Sequence, residues 1–166
     1  MIYWDNAATT YPKPAAVQQA VATALRQYGA NPGRGGHAMS LATSEQLYRC
    51  REAAAAFFGL SDPTGVIFTP NASLNLVIQG LLANGGRVII SDLEHNAVWR
   101  PVYALSPRFP RYDIAAWDAD EDRLVENFRR AIRPDTRLIV CTHASNVFGV
   151  TFPLRRLAEL AHMHGL

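Results

Sequence analysis

Apolar residues along this chain alternate between two rhythms, helical spacing and short continuous runs. Residues 15–28 open after Pro14 and run to Gly29, which predicts a helix started by proline and capped by glycine. Residues 40–58 predict a second helix, closed by Gly59. The run Val66-Ile67-Phe68 is of strand type, residues 72–82 read as a helix, and residues 87–91 as a buried strand. Residues 97–105 predict a helix with Pro101 in its first turns, and residues 108–112 a strand. Residues 121–132 predict an amphipathic helix, because Leu124, Phe128 and Ile132 recur four apart on one face. Residues 138–141 are a continuous apolar strand, and residues 154–164 the last helix.

Strands that alternate with helices imply a mostly parallel sheet covered on both sides, a three-layer α/β/α arrangement. Residues 1–60 form an arm with helices ahead of the alternating part, residues 61–166. A length of 166 residues suits one ordinary domain, and a net charge of +2 gives no reason to expect nucleic acid. No apolar run approaches the roughly 18 residues needed to span a bilayer, and Asp5 and Asn6 interrupt any signal peptide. Cys50 and Cys141 are too few for a disulfide framework, so a reducing cytoplasm is the expected home.

In such sheets ligands bind at the carboxyl ends of the strands, so the loops after the strands matter most. After Phe68 comes TPNAS, which opens directly into a helix. Asn71 or Ser73 there either caps the helix or leaves its first N–H groups to an anion such as phosphate. After Ile90 comes SDLEHNA, where His95 stands at a helix start. A histidine there is either structural or exposed, or stacks on an aromatic ligand and moves protons. After Cys141 comes THASNVFG, in which Asn146 offers donors and acceptors and Gly149 permits a turn.

Other motifs drop out. Residues 33–38 match the dinucleotide pattern G-x-G-x-x-A, but a helix precedes them where that pattern needs a strand. No glycine-rich loop carries a lysine, and there is no G-x-S-x-G elbow. His162 and His164, two apart on a helix, point to opposite sides and make a poor metal pair, so no metal is expected.

Taken in order, IYWDNAATT with YPKP, GANPGRGGH, FTPNAS, SDLEHNAV and THASNVFG resemble the amino-terminal part of the cysteine desulfurase group. That group lies within the class V aminotransferases, pyridoxal-phosphate enzymes of fold type I, and the resemblance spans the chain from Ile2 to Leu166. It implies an incomplete large domain of that fold. It also implies that Asn71, Ala72 and Ser73 form the phosphate turn, and that His95 stacks on the pyridine ring and assists proton transfer. By the same resemblance Asn146 approaches the ring hydroxyl and the substrate carboxylate. Asn6, Ala7 and Ala8 line the substrate pocket, with His37 near it. One departure stands out: the family pattern has about two more residues between the turn and Leu74-Asn75, about 200° of helix rotation.

The only lysine, Lys13, falls in the YPKP segment and matches an ordinary structural position. The cofactor lysine, the pyridinium aspartate, the sulfur-accepting cysteine and the carboxylate-binding arginine all follow, in the family, the point matched by Leu166. Cys50 and Cys141 resemble no exposed, low-pKa thiol. The chain is therefore expected to be the amino-terminal portion of a homodimeric enzyme, with a sheet edge left unpaired. That enzyme would act on cysteine or selenocysteine and pass sulfur to an acceptor protein. A class V aminotransferase, a carbon–sulfur lyase and a non-catalytic module needing a partner chain remain alternatives.

Overall fold

The computed structural model describes residues 2–69, 72–105 and 112–166, which fall into two compact units, Met1–Thr69 and Pro70–Leu166. In the first unit, helix α1 (Ala15–Gln27) starts as expected after Pro14, whose carbonyl accepts from Val17 N–H at 3.0 Å. Its end departs from expectation. The Tyr28 N–H closes the last turn on the Ala24 carbonyl, and Gly29 does not adopt the left-handed conformation. Helix α2 (Ala38–Phe58) does end on a left-handed glycine: Gly59 has φ 69°, where a side chain would be strained. It starts two residues earlier than predicted because the His37 ring accepts the Ser40 N–H at 3.3 Å through Nδ1.

Residues 66–68 are not a strand. Asp62 caps a 3-10 turn at Pro63–Gly65, Val66 is extended, and residues 66–68 join no ladder among the described residues. Ile67 is 74% exposed and Phe68 54%. Apolar, β-branched composition gives propensity, but a strand needs a ladder partner, and none pairs with this segment among the described residues.

The second unit holds a three-stranded parallel sheet in the order β2-β1-β3, formed by β1 (Arg87–Ser91), β2 (Tyr112–Ala115) and β3 (Thr136–Val140). Side chains of β1 alternate between its faces. Val88 and Ile90 pack with Ile78 and Leu82, at and just past α3 (Ser73–Leu81), and with Val98 and Val102 of α4 (Asn96–Leu105). Ile89 packs on the other face with Leu124 and Phe128 of α5 (Glu121–Ala131) and Leu157 and Leu160 of α6 (Leu154–Met163). This is the expected three-layer arrangement, and Pro101 is buried inside α4.

Of the strand expected over 108–112, residues 108–111 lie outside the described residues, as do 106 and 107; the described strand, β2, includes Tyr112 and runs on to Ala115. A charged residue hid that continuation. Asp113 accepts from Arg87 Nη1 at 3.0 Å and from Arg133 Nε and Nη2 at 3.1 and 3.0 Å. Two guanidinium groups thus hold a largely buried carboxylate in the sheet. Helix α5 is fixed at its start by Asp120, whose Oδ1 accepts the Asp122 and Arg123 N–H groups at 2.9 and 3.2 Å. Glu121 and Asp122 in its first turn and Arg129 and Arg130 in its last complement the helix dipole.

Phe128 is fully buried, so Phe128→Ala is expected to cost about 3–5 kcal/mol of stability in a urea titration. Asp120→Ala, which removes only the cap, is expected to cost about 1 kcal/mol in the same titration.

Candidate active site

The loop after β1 is fastened on both sides by carboxylates. Asp92 reaches toward β2: its N–H donates to the Ala115 carbonyl at 3.1 Å, and its Oδ1 accepts the Trp117 N–H at 2.8 Å. Glu94 reaches toward β3: its Oε1 accepts from Ser91 Oγ at 2.5 Å and from the Thr142 N–H at 2.7 Å. Neither residue is among those that the sequence pattern alone marks as functional. The signal was present in SDLEH, a segment with two acids directly after a buried strand.

His95 follows Glu94 and starts α4. Its carbonyl accepts the Val98 and Trp99 N–H groups at 2.9 and 3.2 Å, and its ring Nδ1 accepts the Ala97 N–H at 3.1 Å. The ring therefore has a structural role, yet it is exposed and keeps Nε2 as the nitrogen outside this backbone bond. In the neutral ring that nitrogen carries the proton.

The loop after β3 turns tightly. Buried Ser145 donates its N–H to the Val150 carbonyl at 2.9 Å and accepts the Gly149 N–H through its own carbonyl at 3.0 Å. Its hydroxyl oxygen accepts the Phe148 N–H at 3.2 Å. Gly149, at φ 66°, takes the left-handed position that the turn requires. Asn146 is thereby left exposed next to a rigid anchor. Residues 92–96 and 146–148 line one cleft of about 170 Å³ at the carboxyl ends of β1 and β3. His95 and Asn146, predicted from separate loops, meet there.

Ala72 is the N-cap of α3 and Ser73 its first residue, and the Ala72 methyl makes no capping hydrogen bond. The helix begins at Ser73 in spite of the shortened spacing, and Asn71 lies outside the described residues. The remaining candidates belong to the first unit. Asn6 spends its side chain locally, donating to the Tyr3 carbonyl at 3.1 Å and accepting the Tyr11 N–H at 3.0 Å. Ala7 and Ala8 are exposed. His37 caps α2 close to Gly35, where a Cβ would fall 2.8 Å from the His37 ring. Lys13 donates to the Thr9 hydroxyl and the Thr10 carbonyl.

A family model described as aminotransferase class-V matches residues 2–166. The chain belongs to the class-V aminotransferase family. It is 32% identical to a probable cysteine desulfurase of Methanothermobacter thermautotrophicus, over 97% of this chain and 40% of that protein. It thus spans less than half of the curated relatives it matches. Among solved structures, the apo cysteine desulfurase of Thermococcus onnurineus superposes with a TM-score of 0.82 at 27% identity, covering 99% of this chain and 42% of that one. A structure of SspA in complex with cysteine gives 0.83 at 26% identity, covering all of this chain and 49% of that one. These neighbours bear out the fold type I expectation, with the chain covering only part of that fold.

The two cysteines differ. Cys50 lies in α2 as expected but is exposed, whereas Cys141 follows β3 and is partly buried. Burial, reinforced by the Glu94 carboxylate, pushes the Cys141 thiol up to about 12, so it stays protonated at neutral pH. Iodoacetamide at pH 8 is expected to label Cys50 and spare Cys141, as read by mass spectrometry. Because burial favours the thiol over the thiolate, the associated stability is present below about pH 9 and is lost between about 9 and 12. Equal labelling of the two cysteines in the folded chain would contradict the burial of Cys141.

Proposed function

We propose that this chain is the amino-terminal, cofactor-holding portion of a pyridoxal-phosphate-dependent cysteine desulfurase, which converts L-cysteine to L-alanine and retains the sulfur as an enzyme persulfide. The observation that carries this reading is the meeting of His95 and Asn146 in one cleft at the carboxyl ends of β1 and β3. The residues present fit the group. A flat, exposed imidazole and a carboxamide suit an aromatic ring with polar substituents, and the backbone N–H groups at the start of α3, whose N-cap Ala72 has no polar side chain, suit a phosphate.

Bound pyridoxal phosphate supplies an electron sink for the substrate's Cα. His95 would support the ring face and move a proton at Nε2, since its Nδ1 is committed to the Ala97 N–H. Asn146 would orient ring and substrate through its amide, steadied by the Ser145 turn. The N–H groups of the first turn of α3 would hold the phosphate. By the resemblance the covalent tie to the cofactor requires a lysine outside this chain, because Lys13, its only lysine, matches an ordinary structural position of the family. The cysteine bound in the SspA structure supports cysteine as the substrate class. The resemblance extends the reading to a cytoplasmic homodimer that hands sulfur to an acceptor protein.

Titration of the chain with pyridoxal phosphate, followed by cofactor absorbance, is expected to saturate at one equivalent. His95→Ala and Asn146→Ala are each expected to weaken binding about tenfold, about 1.4 kcal/mol. Arg130→Ala, on the exposed face of α5, is expected to change nothing. Non-saturating binding, or affinities unmoved by both cleft variants, would contradict the proposal.

A further inference from the structure

The β1–β3 ladder ends at the pair Ile90 and Val140, and beyond it no backbone–backbone hydrogen bond joins the two loops among the described residues. Yet His95 and Asn146 sit five and six residues past those ends and still share a cleft. The Glu94 side chain crosses the gap. Its Oε1 takes the Thr142 N–H from the loop after β3 and the Ser91 hydroxyl from the end of its own strand. Two donors on one oxygen fix the carboxylate in place, and hydrogen bonds to an ionised acceptor are about twice as strong as neutral ones. The group is only partly exposed, which limits screening by solvent.

We propose that Glu94 is a positioning residue for the cofactor site: its carboxylate latches the loop after β1 to the loop after β3 and so holds His95 and Asn146 in register. The proposal rests on the cofactor reading above, but the latch has its own readout. His95 is the next residue in the chain, so a shift of Glu94 moves the start of α4 and the ring with it. On the other side Thr142 lies three residues before Ser145, whose buried turn carries Asn146. Asp92 fastens the same loop to β2, which leaves Glu94 to set the spacing on the β3 side.

The test compares wild type, Glu94→Gln and Glu94→Ala in the full chain, by amide hydrogen exchange at Thr142 and by affinity for pyridoxal phosphate. Glu94→Gln keeps an acceptor oxygen, so Thr142 is expected to stay protected and affinity to remain within about twofold of wild type. Glu94→Ala is expected to speed Thr142 exchange by about tenfold or more and to weaken affinity about tenfold. Unchanged Thr142 exchange in Glu94→Ala overturns the latch. A Glu94→Ala chain that is less stable but binds the cofactor as wild type overturns the positioning role. Should that variant not fold, Glu94→Asp, one methylene shorter, carries the same comparison. If wild type binds no pyridoxal phosphate while the Thr142 effect holds, the cofactor reading fails and the latch stands.

Discussion

Val88, Ile89 and Ile90 are successive residues of one strand, and all three are shut off from water. Because neighbouring side chains of a strand point to opposite faces, this burial demands an apolar layer on each side of β1. Ile78, Leu82, Val98 and Val102 supply one layer; Leu124, Phe128, Leu157 and Leu160 supply the other. Each buried aliphatic side chain contributes about 1.5–3 kcal/mol, enough for this small set to fix where four helices lie. The polar consequence appears at the strand ends. A strand dry on both faces emits its loop at the mouth of the sheet, between the loops of its two neighbours. Asp92 and Glu94 bind one neighbour each, and His95 comes to rest where α4 begins.

The parts of the fold that were legible in the sequence are those where local pattern and burial agree. Residues 87–91 were readable as a strand because nothing polar interrupts the run, and α5 because acids, apolar spacing and basic residues coincide. Pattern misleads where a distant partner decides. Residues 66–68 have strand composition but no ladder among the described residues, and β2 runs on past Tyr112 through Asp113, whose charge makes sense only beside Arg87 and Arg133. Gly29 looked like a cap, yet the Tyr28 N–H already closes the turn.

The site divides in the same way. His95 and Asn146 were legible because post-strand loops in parallel sheets gather at one edge. That the two share a cleft is visible only in three dimensions, since 51 positions separate them in the chain. The two acids of SDLEH mark the loop after β1, but what Glu94 does depends on Thr142, 48 positions along the chain, which no local pattern reveals. The double use of His95, as a cap through Nδ1 and a free edge at Nε2, also depends on geometry that spacing alone does not reveal.

The central claim is that the cleft between the loops after β1 and β3 is the place of the pyridoxal ring. A crystal structure of the chain soaked with pyridoxal phosphate tests it most directly. The account predicts the ring against His95, its polar edge toward Asn146 and its phosphate at the first turn of α3. Clear density for the cofactor elsewhere, with this cleft filled only by water, would contradict it.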